Sequence, residues 1–106
     1  MADRALDVAS DIGTFQFTVT TTPQQVVPFR AGRKTLIITQ VGSTAVYYGP
    51  RVQPVGNPNA GAPLSASNGA LLPSVTNAGL TLFPFDGELY LVTASGTEVV
   101  TVTELL

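Results

Sequence analysis

The chain has 106 residues, a formal net charge of −2 and only 11% charged residues, with no Cys and no His. Disulfides, thiolate metal sites and cysteine nucleophiles are excluded, and the commonest general base and metal ligand are missing. A nucleic-acid binder usually carries a strongly basic balance, which is absent here. The charge content is well below the quarter or so typical of soluble domains, so the surface is lightly decorated and suits burial against partners.

The length is that of one domain, and roughly two thirds of the unfolded surface can be buried in a single core. The first twelve residues, MADRALDVASDI, interleave Leu6, Val8 and Ile12 with Asp3, Arg4, Asp7 and Asp11. They carry no apolar run of signal-peptide length, and no run anywhere approaches a membrane span. Synthesis in the cytoplasm is expected. The segment reads as an arm over 1–12, either a short helical turn or an extended piece; a frayed terminus is the bland alternative.

From residue 13 onward the pattern is β. TFQFTVTT alternates strictly, with Phe15, Phe17 and Val19 on one face and Thr14, Gln16, Thr18 and Thr20 on the other. QQVVPF follows, and Pro28 restricts it to a short or edge strand. KTLIITQ and AVYYG are two further strands, and the VGST turn between them predicts a hairpin. Tyr47 and Tyr48 are adjacent, so one of them faces outward.

Residues 49–69 differ in kind, with four Pro, four Gly and three Asn in 21 positions. This is loop chemistry, and a loop of that length in a compact domain is usually functional or disordered. Val52–Val55 predicts a short edge strand inside it. GALLP predicts a weak strand and GLTLFPF a good one, followed by an Asp86-Gly87 turn. ELYLVTA and TEVVTVTELL are the last two strands, joined through Ser95-Gly96. About eight short antiparallel strands and no helical period predict an all-β, single-domain, jelly-roll-like β-sandwich over 13–106.

No catalytic constellation emerges. Asp86 and Glu88 are the only close carboxylate pair outside the arm, and a solvated turn is their simplest reading; a calcium site there would need more oxygen ligands. AGRKT is not a phosphate loop, because it lacks the second glycine and precedes a strand. Arg30, Arg33 and Lys34 form a basic cluster, with Arg51 nearby if the hairpin forms. It reads either as a solvated turn or as a contact to an acidic protein partner. No enzyme activity, cofactor or metal is expected.

Two segments carry a family resemblance. GRKTLIITQVGSTAVYYGP (32–50) resembles a stretch recurrent in small tailed-bacteriophage virion proteins: a basic turn, a strand, a Gly-Ser-Thr turn, then VYYG. GELYLVTASGTEVVTVTEL (87–105) is similar to the closing strands of the same group. The resemblance implies a jelly-roll-like β-sandwich in a phage particle, commonly trimeric, with no catalytic residues. It implies a capsid decoration (cement) protein that binds the outer surface of the head at threefold positions. Its partners would be the major capsid protein and further copies of itself, with no nucleic acid and no membrane. The contact residues are then expected to be Arg4, Leu6, Val8 and Ile12 in the arm, Arg51, Val52, Pro54 and Val55 in the long loop, and Arg30, Arg33 and Lys34 in the basic turn. The alternative is a head-fibre or tail-fibre module that binds a glycan or receptor, with Tyr48 or Tyr90 near Asp86. The 49–69 loop departs from the shorter turn of that group.

Overall fold

The computed structural model describes residues 11–56, 58, 60–72 and 79–106. The chain is all-β, with eight strands: β1 (Ile12–Val19), β2 (Gln24–Val27), β3 (Thr35–Gln40), β4 (Val46–Gly49), β5 (Ala70–Leu71), β6 (Gly79–Leu82), β7 (Leu89–Thr93) and β8 (Glu98–Leu105). They form two four-stranded antiparallel sheets. One has the order β1-β8-β3-β6 and is called sheet A below; the other, sheet B, has the order β2-β7-β4-β5.

Pairing runs from the outside of the sequence inward: the first strand with the last, the second with the seventh, the third with the sixth, the fourth with the fifth. The contacts β3·β8 and β4·β7 then complete the sheets. The arrangement is that of one long antiparallel hairpin, its tip at the 50–69 loop, folded over on itself.

Alternation decides which side chains enter the layer between the sheets. In β8 every second residue is buried: Glu98, Val100, Val102 and Glu104. Val100 and Val102 join Val19, Leu36 and Ile38 of sheet A and Val26, Val27, Val46, Leu89 and Leu91 of sheet B in one core, with Leu72 beside them. Each such aliphatic side chain contributes roughly 1.5–3 kcal/mol on burial. Phe17, Tyr48, Leu80, Leu82 and Phe85 close the margins of this core.

The expected hairpin between KTLIITQ and AVYYG does not form. β3 lies in sheet A and β4 in sheet B, so residues 41–45 carry the chain across the sandwich. The reason lies in Glu98, whose carboxylate accepts the backbone N–H of Gly42 at 2.5 Å and of Thr44 at 2.9 Å. The turn is bound to β8 and is thereby held away from its own strand partner. The Ser95-Gly96 connection likewise crosses between sheets, because β7 and β8 do not pair. The expected arm boundary also moves: Ile12 is the first residue of β1 and pairs with Leu105, and Asp11 and Leu106 exchange two backbone hydrogen bonds.

Candidate interaction surfaces

The basic turn is the first expected contact, and Arg33 has to be withdrawn from it. Its guanidinium is fully buried and faces Glu104, with Nε 3.0 Å from Oε2. Nη1 donates to the Gly87 carbonyl at 2.9 Å and Nη2 to the Pro28 carbonyl at 2.6 Å. The group also lies 5.9 Å from the centre of the Phe85 ring. A buried carboxylate needs compensating partners: on β8, Glu98 finds them in the backbone N–H groups of Gly42 and Thr44, and Glu104 in the Arg33 guanidinium. Arg30 is about half exposed and reaches the other Glu104 oxygen at 3.6 Å. Lys34 is anchored through its backbone, donating to Leu105 and accepting from Phe85. The triplet therefore divides into one structural cation and two partly exposed ones.

The described part of the long loop carries its own hydrogen bonds and packs on sheet B through Leu64. Gln53 donates its N–H to the Ala62 carbonyl and accepts from Gly61, both at 2.9 Å, and Val52 bridges to Pro63. The expected edge strand is thus a single bridge. Asn68 fastens the base: its Oδ1 accepts from the Ser65 N–H at 2.8 Å and from Gln53 Nε2 at 3.2 Å, and its Nδ2 donates to the Pro63 carbonyl at 3.0 Å. Leu64 is the pin. It is 1% exposed and seats over Gly49 and Gly69, where an added Cβ would stand 2.9 Å from Leu64 Cδ1. Those glycines are the recess that receives the leucine. Val92, on the outward side of β7, is covered in the same way at 2% exposure.

The loop residues expected to make contacts are exposed. Arg51 and Pro54 are exposed, Val52 is 42% exposed, and Val55 at the tip is 99% exposed. Ile12 is exposed as well, at the start of β1. Arg4, Leu6 and Val8 lie outside the described residues.

The outer face of sheet A was not singled out from the sequence. Reading across the four strands, one row is Thr14, Thr103, Ile37 and Thr81, and the next is Gln16, Thr101, Thr39 and Gly79. Thr18 and Val99 form a further pair, and Ile12 and Leu105 another. None of these positions is charged. Thr14 and Thr103 share a side-chain hydrogen bond of 3.1 Å. No described segment covers this face as the loop covers its counterpart. The signal was present in the alternation: the outward positions of TFQFTVTT and EVVTVTEL are almost all Thr or Val.

Two clefts accompany these surfaces. One of about 470 Å³ lies between the loop and the β1–β2 turn, lined by Thr21, Pro23, Leu64, Ser65, Val92 and Thr93, without a charge. The other, about 270 Å³, is lined by Tyr48, Pro50, Leu82, Phe85 and Leu89, with Glu88 at its margin. Tyr48 is therefore turned toward the core and Tyr47 outward. No cluster of three metal-ligating side chains occurs among the described residues, and no described helix is long and apolar enough to cross a membrane. No protein-family model matches the chain, and no curated protein and no solved structure matches it.

Proposed function

We propose that this is a structural binding protein of a tailed-phage particle, a decoration protein that attaches to the outside of the head and ties major capsid protein subunits together. The observation that carries the reading is the open outer face of sheet A, a charge-free array of Thr, Val and Ile side chains on a rigid sheet. Such a face loses little on desolvation because its hydroxyls can be satisfied by a partner's backbone, while its methyl groups gain from burial. The resemblance of residues 32–50 and 87–105 to phage virion proteins points the same way. The jelly-roll reading draws support from the first-with-last pairing of the strands.

Attachment is multivalent in this proposal. Three copies at a threefold position match the shell by symmetry, and several modest contacts raise avidity without any one being strong. The sheet face supplies the broad contact. The exposed loop residues Arg51, Val52, Pro54 and Val55 reach a neighbouring subunit, and Arg30 and Lys34 face acidic groups on the shell. The arm with Leu6 and Val8 extends over an adjacent subunit. The fibre-module alternative is weaker: the cleft beside Tyr48 is almost wholly apolar, whereas a sugar needs several convergent polar groups.

The test is direct addition of the purified protein to undecorated heads, with copies per particle counted after sedimentation. Saturable binding at many copies per head is expected, together with loss of binding in Thr101→Lys, which places a charge at the centre of the open face. Binding at a few sites only, or to a glycan surface and not to heads, would overturn the decoration reading in favour of a fibre module.

A further inference from the structure

Four strands end the two sheets, and they are not alike. β5 has two residues. β6 has four and runs into Phe83-Pro84. β2 has four, lies between Pro23 and Pro28, and has a bulge between Gln25 and Val27. Shortness, proline and bulging are the usual protections of a sheet edge. β1 has none of them. It runs eight residues in unbroken register, with no proline and no charge.

The hydrogen-bond phase of β1 tells which residues face the open side. Asp11 and Leu106 exchange both backbone bonds, so they form a hydrogen-bonded pair. Such pairs alternate along an antiparallel ladder, so Gly13, Phe15, Phe17 and Val19 bond to β8. Ile12, Thr14, Gln16 and Thr18 then aim their N–H and C=O groups outward. The Ile12 N–H is taken by the Asp11 carboxylate at 2.9 Å. Thr14, Gln16 and Thr18 remain, and no described residue pairs with their backbone.

We propose that this edge binds the same edge of a second copy of the chain, antiparallel across a twofold axis at Gln16, so that sheet A continues through eight strands. The sequence there is a palindrome, Thr14-Phe15-Gln16-Phe17-Thr18. An antiparallel pairing centred on Gln16 sets Thr14 opposite Thr18 of the second copy, Gln16 opposite Gln16, and Phe15 opposite Phe17. The three outward-bonding pairs exchange about six backbone hydrogen bonds. Thr–Thr and aromatic–aromatic neighbours are favoured cross-strand pairs, and no charge meets its like. Phe15, 39% exposed in the single chain, gains a ring beside it. A twofold contact of this kind is isologous and closes on itself. It does not rest on the particle reading, and it leaves the threefold contacts proposed above to other surfaces.

The test uses the full chain, whose lack of cysteine makes single-cysteine variants unambiguous. In the proposed register the Gln16 Cα atoms of the two copies are about 5.5 Å apart, within disulfide reach. The two Thr14 residues are four positions out of register, about 13 Å along the strand. Under oxidised glutathione, Gln16→Cys is expected to link to itself at least tenfold faster than Thr14→Cys. Gln16→Pro removes an edge N–H without removing a bond to β8, and is expected to halve the mass measured by light scattering relative to the unmodified chain. Equal linking at positions 14 and 16, or no linking at either, would overturn the proposal, as would an unchanged mass in a Gln16→Pro variant that circular dichroism shows to be folded. Should that variant not fold, the cysteine pair decides alone.

Discussion

The two outer faces of the sandwich are opposites. The middle of the face of sheet B is covered by the chain's own loop, pinned by Leu64 in a recess of two glycines, while Leu71 stays exposed at its edge. The face of sheet A is regular, free of charge and uncovered by any described segment. One face is partly covered within the chain, and the other is left open by every described segment. The difference teaches that low charge alone does not locate an interface. Val92 is as apolar as anything on sheet A, yet it is already buried.

The comparison can be broken or sharpened by substitution. The largest effect is expected at the support common to both faces. Arg33→Met leaves Glu104 buried beside only the more distant Arg30, and a loss of about 3–5 kcal/mol is expected in urea unfolding. Leu64→Ala acts on the covered face alone. A loss of about 2 kcal/mol, at the low end for a buried leucine because the loop can lift, should accompany faster hydrogen exchange at Gln53, Gly61 and Gly69. Gly69→Ala crowds Leu64, the Tyr47 Cβ at 3.0 Å and the Ser65 carbonyl at 3.1 Å, so about 1–3 kcal/mol is expected. Gly49→Ala meets only the end of the Leu64 side chain and should cost less than Gly69→Ala in the same thermal unfolding experiment. The smallest stability effect belongs to the open face. Thr101→Lys is expected to stay within about 0.5 kcal/mol of the parent chain while abolishing head binding. A large loss of stability there would mean that the face is already engaged within the chain.

The strands themselves were legible in the sequence, because a period of two in TFQFTVTT and TEVVTVTELL states which side chains share a face. Their partners were not. VGST has the length and composition of a hairpin turn, and the Glu98 carboxylate, more than fifty positions away, helps hold it across the gap between sheets. The loop was visible as loop chemistry, but its fold depends on Leu64 finding Gly49 and Gly69, a fit between sites that alternation does not encode. Arg33 was read as a surface charge because it stands among other basic residues. The contrary sign lay in Glu104, which is in phase with Val100 and Val102 and so had to find a partner inside, a guanidinium here where Glu98 takes backbone N–H groups. The open face of sheet A was readable in the same alternation, in Thr14, Gln16 and Thr18 of β1 and Val99, Thr101 and Thr103 of β8.

The pairing of first strand with last carries a consequence for synthesis. Thr14 meets Thr103 across 89 positions of sequence, and the whole β1·β8 ladder has separations of this order. Contacts so distant close slowly, in milliseconds to seconds for all-β domains, and none can form until the final strand has left the ribosome. For most of its synthesis β1 is therefore a strand with two bare edges. The palindrome that would join finished copies is exposed on nascent ones too, so neighbouring chains on one message can meet through it before either has closed its own sheet.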